Sequence, residues 1–303
     1  MTTRMTWIAC VTFALCFLLA AAGSAIAQAA PDNDHFDCYY PGPQPLQTFS
    51  PGSLVLEDEY FFPSSGTNHT TETVTGLVLY QFCNPVRKTL DGTVTPIQFP
   101  ANHLALYHFL TNNQPITPPP VPNIVVQNQF MPQQVLQLGP AVVLAVPSGK
   151  EEATPAGAVP PVPPIPTNLD HFNCFLAQGL PIGANVGLHD QFDFINFVSL
   201  NSEAKVGAPF LFCDAVQKDV CPATGCVVTS PPDLNAHLVC YHIAAAPTPA
   251  ATFLPPGSGP ARTVFINNQF VATPPLTLTL HQGAEDILCV PSTVVSQTPP
   301  AGS

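Results

Sequence analysis

His35-Phe36-Asp37-Cys38-Tyr39 is written four times in this chain of 303 residues. It returns as His103-Leu104-Ala105-Leu106-Tyr107, His171-Phe172-Asn173-Cys174-Phe175 and His237-Leu238-Val239-Cys240-Tyr241. A second landmark keeps step with it: Asp58-Glu59-Tyr60, Asn128-Gln129-Phe130, Asp190-Gln191-Phe192 and Asn268-Gln269-Phe270. A third closes each copy: Cys83-Asn84-Pro85-Val86, Ala145-Val146-Pro147-Ser148, Cys213-Asp214-Ala215-Val216 and Cys289-Val290-Pro291-Ser292. An internal repeat fixes the architecture, so it is read before any local signal.

Between the landmarks the apolar residues alternate. Leu54, Leu56, Asp58 and Tyr60 lie at period two, as do Ile124, Val126, Asn128 and Phe130. Val186, Leu188, Asp190 and Phe192 repeat the pattern, and so do Val264, Ile266, Asn268 and Phe270. Period two is the mark of a half-buried strand, and prolines interrupt almost every window long enough for a helix. The copies group in pairs. Copies one and three share an Asp-His-Phe opening and a lysine five residues after the closing cysteine, Lys88 and Lys218; copies two and four close on Val-Pro-Ser. The expected fold is therefore all-β: two tandem antiparallel β-sandwich domains at 34–150 and 170–293, each of two pseudo-symmetric halves and stapled by disulfides. A Pro-rich linker is expected at 151–169, where prolines from Pro155 to Pro166 favour an extended spacer, and a flexible tail at 294–303.

Residues 1–27 read as a secretory signal, with Arg4 ahead of an apolar stretch and Ala25-Ile26-Ala27 as a small-residue cleavage site. The expected location is extracellular or periplasmic, without membrane insertion after cleavage. Loss of Arg4 leaves six Lys and Arg against 19 Asp and Glu, a balance that repels phosphate backbones, so nucleic acid is not an expected partner.

Cys10 and Cys16 leave with the signal, and eight cysteines remain. Copy two lacks both of its members together, having Leu106 and Ala145 where copy four has Cys240 and Cys289. Paired loss is what a disulfide predicts, because an orphan thiol is reactive in an oxidising compartment. The expected bridges are Cys38–Cys83, Cys174–Cys213 and Cys240–Cys289, leaving Cys221–Cys226 as a local staple. No C-x-x-C occurs, and neither a metal site nor a cofactor is expected.

Two sets of polar residues invite a chemical reading. Asp58, Asn128, Asp190 and Asn268 fall on the apolar face of their strands, as calcium ligands or as side chains that bond neighbouring backbone. Asn stands in two of the four copies, which discards the charge calcium prefers, so the structural role is the expectation. On that reading Asp and Asn are interchangeable and Asp190→Asn is nearly silent. His35, His103, His171 and His237 each open a strand; their expected role is a structural hydrogen bond. His103 with His108, and His237 with His242, are an odd number of residues apart and so face opposite sides of a strand. Asn68-His69-Thr70 fits the glycosylation triplet. No catalytic residue is assigned, because no nucleophile elbow, zinc-protease or phosphate-loop motif occurs.

The combined pattern of Asp-His-Phe-x-Cys, Asp-Gln-Phe, Cys-x-x-Val-x-Lys, His-Leu-x-Cys-Tyr, Asn-Gln-Phe and Leu-Cys-Val-Pro-Ser resembles a family of exported bacterial and archaeal domains of unknown function. The resemblance covers both halves and implies the architecture without an activity or a substrate. The expected function is that of a secreted, non-catalytic surface or matrix protein. Two alternatives stand beside it: a module binding glycan or another surface protein, in which Tyr39, Tyr40, Tyr60 and Tyr107 would offer stacking faces, and an extracellular hydrolase.

Overall fold

The computed structural model describes residues 33–41, 48–50, 53–58, 72–110, 123–153, 161, 164–192, 194–195, 198–199, 202–221, 227–245 and 261–298. The expected signal sequence, Tyr60, Asn68 and the expected Cys221–Cys226 bridge lie outside or partly outside these residues.

All regular structure among the described residues is β, and every strand pairing is antiparallel. Eight strands form the frame: β1 (His35–Pro41), β2 (Leu77–Leu90), β3 (His103–Phe109), β4 (Gln134–Glu152), β5 (Phe172–Gln178), β6 (Ser202–Ala215), β7 (His237–Ala245) and β8 (Val271–Thr298). Each pairs with its neighbour in sequence, and β1 also pairs with β8 through Phe36↔Cys289 and Asp37↔Leu288, so the sheet closes into a barrel. Closure leaves the frame without a free edge. Each copy of the repeat contributes two adjacent strands, the first opening at or just after the landmark histidine and the second carrying the closing landmark.

The all-β, antiparallel, disulfide-stapled character matches the reading of the sequence. The division into two sandwiches does not describe the pairing. β4 of the first half pairs with β5 of the second, β8 pairs with β1, and Asn185–His189 joins β2 to β6. The physical reason is edge satisfaction: two strand pairs per half leave exposed edges that the other half completes. The ends of the expected linker and tail are also strand. Glu151 and Glu152 pair with Phe265 and Val264, while Val294 to Thr298 pair with Val126 to Asn123.

Alternation sorts the barrel's side chains. Inside lie Phe36, Cys38, Cys83, Leu104, Leu106, Val143, Ala145, Phe172, Cys174, Leu211, Cys213, Leu238, Cys240, Ile287 and Cys289, all buried. The bridges Cys38–Cys83, Cys174–Cys213 and Cys240–Cys289 each join directly opposed residues of adjacent strands. Leu106 and Ala145 are directly opposed in the same manner, so apolar contact fills the seat of the bridge that copy two lacks. Outside the barrel, the segments between paired strands fold back and build two further apolar layers. Leu54, Leu56, Val264 and Ile266 enter one; Ile124, Val126, Val186 and Leu188 enter the other. A tight Asp91-Gly92 turn ends β2, and the positive φ of both residues (48° and 77°) suits a two-residue hairpin to Thr93–Thr95.

Candidate functional site

The second landmark stands where each excursion leaves its outer strand, and the same backbone motif recurs there. The Oδ1 atoms of Asn128, Asp190 and Asn268 accept the N–H groups of Phe130, Phe192 and Phe270 at 2.9, 2.7 and 2.9 Å. This Asx turn lets the chain bend while its backbone donors stay bonded. The other half of each side chain crosses to the copy two further along the barrel. Asp190 Oδ2 accepts Tyr39 O–H at 2.9 Å and Asn84 Nδ2 at 2.7 Å. Asn128 Nδ2 donates to Tyr241 Oη at 2.8 Å and Ser292 Oγ at 3.3 Å, and Asn268 Nδ2 donates to Tyr107 Oη at 2.8 Å and Ser148 Oγ at 3.1 Å. Asp58 accepts Asn173 Nδ2 at 2.7 Å. Every one of these contacts joins residues 34–150 to residues 170–293, so the landmarks tie the two halves together.

The Asp-or-Asn choice follows the partner. Ser148 and Ser292 donate their hydroxyl hydrogens to Val146 O and Val290 O, which leaves each Oγ as an acceptor and calls for an amide opposite. Asn84 offers an N–H and calls for a carboxylate. Asp190→Asn would turn an amide donor toward Asn84 Nδ2, so the expectation of a nearly silent exchange is replaced by a cost of about 1–3 kcal/mol for a mismatched buried group.

The landmark histidines and the lysines meet beside these turns. His35 and His103 face the landmark glutamines of the following copy: Gln129 Nε2 bonds His35 Nε2, and Gln191 Nε2 lies 3.4 Å from His103 Nε2. Three lysines are buried there, not two. Lys150 stands five residues after Ala145, the spacing of Lys88 and Lys218 after their cysteines. The Nζ atoms of Lys88 and Lys150 sit 4.1 and 4.2 Å from the ring centres of Phe130 and Phe192; Lys218 Nζ bonds Gln269 Oε1 beside Phe270. Burial lowers each of these amines to about 7. Burial first, and then the neighbouring lysine, lowers His103 and His171 to about 3 and His35 in the same direction, so the three imidazoles are neutral.

His237 differs. Copy four has Val294 at the lysine position, and its histidine Nε2 lies 3.1 Å from Asp214 Oδ1, while Nδ1 faces Asn235 O at 2.7 Å. One ring nitrogen thus faces a buried carboxyl group and the other a backbone carbonyl. Asp34 and Asp170, which precede the histidines of copies one and three, hold loops: Asp34 accepts Gln98 N and Phe99 N at 2.6 and 2.8 Å, and Asp170 accepts Asp233 N at 3.1 Å. Burial raises Asp34 and takes Asp170 to about 6, the backbone bonds acting against it.

One cluster gathers more chemistry than the others. Asn84 Oδ1 accepts Lys150 Nζ at 2.9 Å and Gln191 Nε2 at 3.2 Å, while Asn84 Nδ2 donates to Asp190. A carboxamide is therefore held between a buried amine and a buried carboxyl group, under an aromatic ring. Asn84 carries no local signal of this role, and Lys150 is hidden in the sequence because the lysine spacing is set from a cysteine and copy two has alanine there. Among the described residues, no group of three or more His, Cys, Asp or Glu is placed to hold a metal ion, and no helix is long and apolar enough to cross a membrane. No family model, curated protein or solved structure matches the chain.

Proposed function

We propose that this chain is an exported, non-catalytic surface or matrix protein whose repeats build a rigid contact module. The observation that carries the reading is the use made of the recurrent polar residues. The landmark Asp and Asn side chains bond turn backbone on one side and the opposite copy on the other, as joints of a scaffold do. Three cross-strand disulfides fit an oxidising compartment, and the apolar run ahead of Ala25-Ile26-Ala27 supports export.

A ligand-binding role has one specific observation in its favour. Tyr40 is 41% exposed, its hydroxyl lies 2.8 Å from that of Tyr80, and Tyr80 packs at 4.1 Å on His108, a face with apolar rings and polar tips suited to a glycan. The hydrolase reading would use His237 and Asp214. The test expresses the full chain with its leader in the native host and follows a C-terminal tag through cell fractions, then assays the purified protein on ester, peptide and glycoside substrates. Processed, oxidised protein outside the cytoplasm and no turnover are expected. A reduced cytoplasmic product, or turnover abolished by His237→Ala, would overturn the proposal.

A further inference from the structure

We propose that Lys150 and Asn84 condense into an intramolecular isopeptide bond, with Asp190 passing the proton from the amine to the departing ammonia. Three observations converge on it. The first is geometric: Lys150 Nζ, Asn84 and Asp190 are aligned by contacts of 2.9 and 2.7 Å, so nucleophile, electrophile and proton carrier are already in place. Reactants held in this way lose the entropic part of the barrier that separates an amine from an amide in water.

The second observation concerns the environment. All three groups are buried, and Phe192 covers the amine at 4.2 Å. Burial lowers the Lys150 amine to about 7, against the pull of nearby carboxylates, and raises Asp190, against Lys150 and the hydrogen bonds from Phe192, Asn84 and Tyr39. An amine that sheds its charge readily, beside a carboxylate that burial makes a better proton acceptor, is the arrangement the reaction requires. The Nζ lone pair adds to Asn84 Cγ, and the carbonyl π pair moves to Oδ1, where Gln191 Nε2 already donates from 3.2 Å. The Asp190 carboxylate takes the proton released by Nζ and delivers it to Nδ2, the Cγ–Nδ2 bond breaks and ammonia leaves. The products are one secondary amide and one ammonia, and Asp190 ends as it began. The usual competing reaction of asparagine, attack by the next peptide nitrogen, is closed because that nitrogen belongs to Pro85 and carries no hydrogen.

The third observation is the position of the link. Asn84 lies on β2 and Lys150 on β4, on either side of β3. The bond would therefore straddle β3 and tie copy one to copy two, the copy with Leu106 and Ala145 in place of a disulfide. The related contact of Lys218 with Gln269 has Asn268 where this cluster has Asp190, so it lacks the acid and is expected to stay unreacted. This inference stands apart from the export proposal, since a chain folded in any compartment would form the same bond.

The experiment is intact mass spectrometry of the full folded protein after reduction of its disulfides, followed by tryptic mapping. The wild-type chain is expected to be lighter by one ammonia than its sequence, with residues 84 and 150 in one branched peptide and no cleavage after Lys150. Lys150→Arg keeps the charge and most of the stem and should show the full mass, as should Asp190→Ala. Asn84→Asp should lose one water instead and arrive at the wild-type product. A wild-type protein of full sequence mass, with Asn84 and Lys150 in separate linear peptides, would overturn the proposal. So would an ammonia loss that persists in Lys150→Arg. If Asp190→Ala does not fold, Lys150→Arg alone decides.

Discussion

The clusters around Asp190 and Asn268 occupy equivalent places in the repeat and are built from different atoms. Both bend the chain with the same Asx turn, at 2.7 and 2.9 Å, and both reach a buried tyrosine, Tyr39 or Tyr107. At Asp190 the remaining partner is an amide, and an amine lies behind it; at Asn268 the remaining partner is a serine whose hydrogen is already directed to Val146 O. The difference teaches that a repeat conserves a joint while leaving its chemistry to be set by the strand opposite. A carboxylate is tolerated in the interior where donors converge on it, and an amide serves where they do not.

The largest expected effect bears on both clusters at once, because the disulfides lie inside the barrel beneath them. Each bridge closes 39 to 49 residues, a constraint of roughly 4 kcal/mol in the chain-entropy model. Thermal melts should therefore collapse on reduction and ignore chelator. A melt lowered by chelator and indifferent to reductant would show that an ion, not the bridges, holds the clusters in place.

The next effect separates the clusters by titration. Folded Lys88 and Lys218 release their protons near pH 7, whereas in the unfolded chain lysine releases them near 10.5. Between those values the unfolded state holds more protons, so stability should rise with pH from about 7 to 10. Above that range buried Tyr107 and Tyr241, both raised by burial, reverse the slope, since unfolded tyrosine ionises first. Lys150, once acylated, should take no part. Amine-resolved NMR should then find two lysines titrating near neutrality; a third assigned to Lys150 would remove the distinction between the clusters.

Much of this was legible in the chain. The period-two strands through Leu54, Ile124, Val186 and Val264 are local signals, and the observed strands fall where the alternation puts them. The disulfide partners followed from aligning the copies, because a cross-strand bridge needs only the two strands of one copy. Closure was not legible: the pairing of Phe36 with Cys289 joins the two ends of the barrel and leaves no mark on the sequence near either. The same distance hid the clusters. Asp190 meets Asn84 across 106 positions, and nothing in Asp190-Gln191-Phe192 names that partner. Lys150 could have been found by counting five residues from Ala145 as from a cysteine.

The smallest expected effect tests the central claim, that the partner strand dictates Asp or Asn at each landmark. The measurement is a double-mutant cycle of unfolding free energies on Asn268→Asp and Ser148→Asn, a pair free of the Lys150 chemistry. Asn268→Asp alone should cost about 1–3 kcal/mol, because its second oxygen would face a serine with no hydrogen to offer. Adding Ser148→Asn offers the new carboxylate an amide donor, as Asn84 offers one to Asp190 from two residues earlier in its own strand, and should recover part of that loss, with a favourable coupling of about 0.5–3 kcal/mol. Effects that simply add, within about 0.3–0.5 kcal/mol, would contradict the claim and leave the landmark's identity unexplained by its partner.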